Sequence, residues 1–533
     1  MKKRKKISNR DPQKIITLDG ATLTLRDIKT FVSNPRATVR IAPKALVGMQ
    51  KTRMRVLLQM TKRPIYGVNT GFGPMVHRII SEDHLSDLQY NLVRGHAVGM
   101  GDAVDGTFVL GAMLVRLNTI LRGFSGVSPG LAKALQSLIN ARIAPIVPEH
   151  GAVGTSGDLV QLAHIALALI GEGDVLHSGK RKPASEALRA AGITPYQLGP
   201  KEGLSLINGT AVMSGIGALL IHDAECIIDL AVRTGACALE LVQGFSDVLD
   251  ESLHRLRPHH GQLHIARMMR EMLKDSRRLR DREQLQDKVH IRKETYTTDI
   301  ILQEVYSFRC IPQILGPIYD ATRSAREVLE TEINSVTDNP IVDRAGKFLH
   351  GGNFHGDYVA TAVDHLKIGM TKLTLLTERR INFFLNKNAN GGVFPPFLNL
   401  KEPGLSMGLQ GLQFVATSTT AQSQSLSYPH SLHSIPTNGD NQDVVSMGTD
   451  AALITHKVIE NAYALIAIEL VVLAQAAETL AIGERRKMSH MSRALIASVR
   501  KYIPVIVDDR YLSKELAVLV AALRNNHVFD AQN

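Results

Sequence analysis

Residues 209 to 244 read Gly-Thr-Ala-Val-Met-Ser-Gly-Ile-Gly-Ala-Leu-Leu-Ile-His-Asp-Ala-Glu-Cys-Ile-Ile-Asp-Leu-Ala-Val-Arg-Thr-Gly-Ala-Cys-Ala-Leu-Glu-Leu-Val-Gln-Gly. Apolar residues recur with helical spacing along this run, and the interspersed small residues would let a second helix approach closely. Helices of this length usually belong to a bundle. The most hydrophobic stretch, Ala462 to Ile482, repeats the pattern but carries Glu469, Gln475 and Glu478. Acidic residues at that depth are costly in lipid, so a buried bundle helix is expected rather than a membrane span. Ser128 and Pro129 give a helix start, Leu131, Leu135, Leu138 and Ile139 share a face, and Pro145 ends the segment that runs to Ala144. Nearer the N-terminus, Ile15 to Leu18 and Thr22 to Thr24 flank Asp19-Gly20 in a hairpin-like pattern, and Thr24 is placed to cap a short helix through Phe31.

The 533 residues are 44% hydrophobic and 21% charged, the balance of an ordinary globular protein. Aromatic residues are only 5% and tryptophan is absent, so aliphatic packing must fill the core. Three scattered cysteines, Cys226, Cys237 and Cys310, make a disulfide framework unlikely, and with no apolar signal region a cytoplasmic protein is expected. Half of the net charge of +12 comes from Lys2, Lys3, Arg4, Lys5, Lys6 and Arg10, which precede the first acid, Asp11. Such a tail, residues 1–12, reads as solvated and disordered. No zinc spacing, aromatic interleaving or recognition motif accompanies it, so neither nucleic acid nor membrane is expected as a partner. Glu271 to Glu294, basic and without glycine or proline, reads as a solvent-facing helix or mobile excursion leading to a lid. Gly391-Gly392 and Pro395-Pro396 mark a loop.

Chemistry enters at residues 151 to 164, Gly-Ala-Val-Gly-Thr-Ser-Gly-Asp-Leu-Val-Gln-Leu-Ala-His. The unhindered amide nitrogen of Gly157 can attack the carbonyl carbon of Thr155. Loss of water from that ring and from Ser156 leaves 4-methylidene-imidazol-5-one (MIO), an electrophile built without a metal. The plainer alternative is that Ser156 or Asp158 caps the helix suggested by Leu159, Leu162, Ala163, Ala166 and Ile170.

Six further blocks stand in a fixed order: Ile65-Tyr-Gly-Val-Asn-Thr-Gly-Phe-Gly73, Lys201-Glu-Gly-Leu-Ser-Leu-Ile-Asn-Gly-Thr210, Tyr306-Ser-Phe-Arg-Cys310, Asn334-Ser-Val-Thr-Asp-Asn-Pro340, His350-Gly-Gly-Asn-Phe-His-Gly356 and Asp440-Asn-Gln-Asp-Val-Val-Ser-Met447. With residues 151–164 they resemble the aromatic amino acid ammonia-lyase and aminomutase family over nearly the whole chain. Leu88-Gln-Tyr-Asn-Leu92, Asp158-Leu-Val-Gln-Leu162 and Ala416-Thr-Ser-Thr-Thr-Ala421 are most similar to bacterial tyrosine ammonia-lyases, often labelled histidine lyases. The chain departs from them at Thr155, where alanine is usual; the first residue contributes its carbonyl, so threonine should permit cyclisation while crowding the pocket.

The resemblance implies a mainly α fold, a long-helix central bundle with a smaller mixed N-terminal lobe, assembled as a homotetramer whose active sites draw on three subunits. It places the Tyr66 loop and the MIO segment in an N-terminal lobe, residues 13–205, and the helical bundle in residues 206–533. Tyr66 is the implied base toward the β-carbon. A phenol ordinarily titrates near ~10, so a tyrosine base needs N–H donors or positive helix ends around its oxygen, and Gly67, Gly71 and Gly73 would let backbone approach. Arg309 suits the substrate carboxylate through paired hydrogen bonds, assisted by Asn339. Asn208 is implied to support the ring and the bound amine, Tyr306 and Gln303 to complete a lid, and Phe354 to pack against the ring.

Two positions bear on the aromatic substrate. His96 falls in the family's selectivity segment, where histidine accompanies histidine or tyrosine substrates; Gly95 replaces the serine common beside it. Gln442 is a neutral amide where histidine lyases carry glutamate. Asn438, four residues earlier and so one helical turn away, is implied to help hold a phenol. The resulting expectation is elimination of ammonia from L-tyrosine to p-coumarate, with histidine ammonia-lyase and tyrosine 2,3-aminomutase as alternatives. A catalytically silent fold acting through its basic tail is the reading from another class.

Overall fold

The computed structural model describes residues 14–285, 293–298 and 300–525. The basic tail lies outside them. Helices dominate, and all strands among the described residues fall before residue 184 or between 341 and 349. This is the mainly α architecture with a smaller mixed N-terminal region that the resemblance implied.

Two compact units divide the chain. The first comprises Met1–His222, Ser324–His365 and Pro429–Thr455; the second comprises Asp223–Arg323, Leu366–Tyr428 and His456–Asn533. The chain passes between them inside the long helices Ala211–Leu241, Ile311–Glu332, Asp357–Leu385 and Gly448–Glu478, and once more at Tyr428–Pro429.

In the first unit Ile15–Leu18 pairs in parallel with Thr38–Ile41, not with Thr22–Thr24 as the hairpin pattern suggested. Asp19 explains the difference, because its Oδ1 accepts the Ala21 and Thr22 amides at 2.8 and 2.9 Å and turns the chain away. Thr24 then starts helix Leu25–Ser33 with a capping box in which Asp27 answers its amide. A helix between two parallel strands is a right-handed crossover unit in nearly all cases. Beneath it runs helix Gly106–Leu121, buried along almost its whole length. Ser128 caps helix Pro129–Asn140 through the Leu131 amide, as its start signal predicted, although the helix ends before Ala144–Pro145, which forms a strand.

In the second unit the apolar run of helix Gly448–Glu478 is closed around its acids. Arg380 of helix Asp357–Leu385 forks onto Glu469 with both residues fully buried, Nη2 to Oε2 being 3.0 Å. Gln475 exchanges hydrogen bonds with the Ile506 backbone. Two helices, Ala211–Leu241 and Gly448–Glu478, are long and apolar enough to cross a membrane, but 78% and 89% of their most apolar windows are buried inside the protein. They are core helices.

The basic segment after Glu271 is neither a free helix nor an excursion as far as Leu285. Helix His260–Leu273 stops, and Arg278, Arg280 and Arg282 beyond it are tied down. Arg278 is buried, donates to the Glu240 and Leu241 carbonyls and pairs with Glu484 at 2.7 Å; Arg280 pairs with Glu304 at 3.0 Å. Their heads find carboxylates, and that of Arg280 also lies 4.1 Å from the Phe245 ring centroid, which a count of charges alone does not reveal. Residues 286–292 of that segment lie outside the described set.

Candidate active site

Residues 155 to 157 lie just before helix Leu159–Leu169, and their backbone is gripped from remote segments of the first unit. The Gly154 carbonyl accepts the Gly356 amide and the Ser446 hydroxyl, each at 2.9 Å, and the Met447 amide reaches the Val153 carbonyl at 3.0 Å. Gly157 has φ +70° and bridges Gly209; a Cβ on it would stand 2.0 Å from the Gly209 carbonyl oxygen. Only glycine fits there.

Asp158 does not cap its own helix. Its carboxylate accepts the Val212 and Met213 amides at 2.7 and 3.2 Å, the opening turn of helix Ala211–Leu241, and also the Thr449 hydroxyl. Burial pushes this carboxyl up to about 6 despite those hydrogen bonds. A native value above the unfolded one means the folded protein holds the proton more tightly. Its favourable contribution is therefore complete at low pH and is lost as pH rises through about 6. Denaturation midpoints should show wild-type stability, measured against Asp158→Asn, falling between about pH 4 and pH 6. A difference that stays flat over that range would contradict the assignment.

The Ser156 carbonyl oxygen faces two donors, Asn208 Nδ2 at 3.0 Å and the Gly209 amide at 3.2 Å. Asn208 is held at the end of helix Glu202–Ile207, which Gln89 ties to the Tyr66 loop: its Oε1 accepts the Leu204 amide and its Nε2 donates to the Gly67 carbonyl. The loop is anchored by buried Asn69, whose side chain bonds the Ile65 amide and the Met60 and Arg63 carbonyls. Tyr66 is half-buried; its oxygen accepts the Gly73 amide at 3.3 Å, and its ring meets Phe72 and His350 edge-on. Burial, with Arg63 and Lys201 nearby, pushes the His350 imidazole below its ordinary value, leaving it neutral beside the tyrosine.

Gly73 reaches the other side of the site. A Cβ there would stand 2.7 Å from Asn438 Nδ2, so the bare backbone admits the asparagine. Asn438 and Gln442 are not one helical turn apart, as the spacing suggested. Asn438, Gly439 and Asp440 all have positive φ, and Thr437 and Gln442 pair their backbones across a tight turn at 3.0 and 3.2 Å. That turn presents the Gln442 amide to Thr155 Oγ1 at 2.8 Å and to Ser156 Oγ at 3.1 Å.

Tyr66 thus bonds the Gly73 amide and Gly73 gives room to Asn438, while Gln442, from the same turn as Asn438, reaches Thr155 and Ser156, whose carbonyl takes Asn208. His96 ends helix Leu85–His96 and points its Nδ1 at the Leu92 carbonyl, 2.8 Å away, which leaves Nε2 as the acceptor in the neutral ring. Asn339 accepts the Gly351 amide on Oδ1 at 2.9 Å. Phe354 is half-buried in the loop that ends at Gly356. These three share the first unit, but among the described residues no hydrogen bond joins them to the Ser156 cluster. Gln303, Tyr306 and Arg309 belong to the second unit, where Arg309 hydrogen-bonds Gln303 and lies 4.7 Å from the Tyr306 ring centroid.

Gly209 and a buried ionic cluster behind it were not among the expected site residues. Lys201 pairs with Asp338 at 3.0 Å, both without exposed side-chain surface, and Ser205 Oγ donates to the same oxygen. Burial works to raise the Asp338 carboxyl, but Lys201 and Arg116 outweigh it and hold it low. Arg116 Nη1 stands 2.5 Å from where a Cβ on Gly209 would be. A lone arginine inside the apolar helix Gly106–Leu121 was the available signal.

The model for the family described as aromatic amino acid lyase matches residues 23–501. The chain belongs to that family. A tyrosine ammonia-lyase of Cupriavidus metallidurans is 38% identical over 95% of this chain and 96% of its own length. A histidine ammonia-lyase of Bacillus cereus is 36% identical over 96% and 98%. Among solved structures, tyrosine aminomutase from Streptomyces globisporus superposes with a TM-score of 0.92 at 35% identity, over 96% of this chain and 97% of that one. The protein is therefore an enzyme of carbon–nitrogen lyase or mutase chemistry on aromatic amino acids.

The MIO group is characteristic of this lyase family, and residues 155–157 fit it. Gly157 has no room for a side chain, the oxygen that would remain on the ring already faces two donors, and buried Asn208 Oδ1 has no hydrogen-bond partner. No group of three or more metal-ligating side chains occurs among the described residues.

Proposed function

We propose that this lyase-family enzyme eliminates ammonia from L-tyrosine. The observation that carries this reading is the Ser156 constellation: two N–H donors on its carbonyl oxygen and the Gln442 amide on its hydroxyl. Held at residues 155–157, an MIO group would supply an electrophilic carbon able to make the substrate amine a leaving group. Asn208 and Gly209 are oriented to stabilise negative charge on the Ser156 oxygen without reorganising. Tyr66 takes the β-proton, its oxygen held in place by the Gly73 amide. Arg309 and Asn339 hold the carboxylate, with Tyr306, Gln303 and Phe354 excluding water in the assembled homotetramer. His96 Nε2 accepts the phenol hydroxyl and Asn438 assists it, since a buried phenol needs a partner.

Elimination is the first half of a 2,3-amino shift, so the fate of the ammonia separates lyase from mutase. The comparisons lend more to the two alternatives than to release of p-coumarate. Tyrosine aminomutase stands among the matching structures, and histidine ammonia-lyases recur among the relatives near 36%. The neutral amide at Gln442 argues against histidine, and tyrosine is common to the 38% relative and the aminomutase.

Purified protein incubated separately with tyrosine, histidine and phenylalanine decides the matter. Accumulating p-coumarate marks a lyase and β-tyrosine a mutase. Urocanate formed as fast or faster would overturn tyrosine. His96→Phe should raise the phenylalanine-to-tyrosine ratio of kcat/KM by about tenfold; an unchanged ratio removes His96 from the ring pocket.

A further inference from the structure

Ring closure asks only for the carbonyl of residue 155, yet this chain places a hydroxyl there. Thr155 is 5% exposed, and its Oγ1 donates to Gln442 Oε1 at 2.8 Å while Gln442 Nε2 donates to Ser156 Oγ at 3.1 Å. We propose that Thr155 is a positioning residue for maturation: its hydroxyl fixes the Gln442 amide so that the N–H edge meets the Ser156 hydroxyl, the group that must leave. The inference rests on the MIO reading above.

The step balances without an oxidant. A bond forms between Gly157 N and Thr155 C, and the Thr155 carbonyl oxygen departs as water with the hydrogens of the Gly157 and Ser156 amides. A second water takes the Ser156 hydroxyl and the Ser156 Cα hydrogen, leaving a Cα=Cβ double bond. As the Cβ–Oγ bond breaks, charge develops on Oγ, and a preorganised N–H donor aimed there lowers the barrier. A glutamine amide turns easily about its last torsion, which has broad, roughly two-fold preferences. Gln442 is anchored by its backbone pairing with Thr437, and the Thr155 hydroxyl selects one of its two faces.

Intact mass followed over time on newly synthesised full-length protein tests this. Wild type should lose two waters. Thr155→Val should lose the second about tenfold more slowly, with Thr155→Ser restoring the wild-type rate. Gln442→Met should be slowed on the order of a hundredfold, and adding Thr155→Val to it should cost nothing further, because the threonine acts through the glutamine. Equal rates for wild type and Thr155→Val, or losses that multiply in the double variant, would overturn the inference. If Thr155→Val fails to fold, Gln442→Met maturing at the wild-type rate overturns it alone. Wild type that loses no water defeats the MIO reading itself, a different failure.

Discussion

Ser156→Ala is expected to fold with unchanged helical content, to keep the full unmodified mass and to lose at least about 10⁴-fold in turnover. Alanine preserves the backbone, so Asn208 and Gly209 can still donate to its carbonyl, and Asp158 still pins helix Ala211–Leu241. What disappears is the Oγ whose departure would create the double bond of the proposed ring. Circular dichroism, intact mass and a tyrosine assay on one preparation read all three outcomes. Substantial turnover would be incompatible with an electrophile made from residues 155–157.

Tyr66→Phe is the second large loss, about 10²- to 10⁴-fold in kcat, the range spanned by general acid–base catalysis. The ring can keep its edge contacts with Phe72 and His350, so KM should change little while the proposed proton acceptor is gone. Deuterium on the substrate β-carbon adds a discriminating measurement, since the isotope effect should grow as proton removal becomes limiting. A variant within a few-fold of wild type would give the proton to another group.

Local rules located the long helices and the Thr24 and Ser128 starts because spacing and capping are properties of neighbouring residues. They failed where the partner is remote. Ile15–Leu18 chose a strand twenty residues on, Asp158 serves a helix more than fifty residues away, and the arginines after Leu273 found carboxylates from other segments. Family resemblance supplied Asn208 and Gln442 as names. It did not supply the Gly209 amide beside the first or the Thr155 hydroxyl that engages the second. Asn438 shows the cost of assuming a helix: it lies four residues from Gln442 across a turn in which Asn438, Gly439 and Asp440 all have positive φ, and there it comes close enough to Gly73 that only a bare backbone fits.

The peptide at 154–157 is clamped by chain from around residues 208–209, 356, 442 and 446–447, contacts that span nearly three hundred positions. None of those clamps exists on a nascent polypeptide until its later stretches have been synthesised and packed. Under the proposed ring closure dehydration would come last, and two missing waters would tally the molecules that reached the native state. Truncations or misfolded fractions should carry an intact serine, so mass spectrometry of a crude preparation would count correctly folded chains directly.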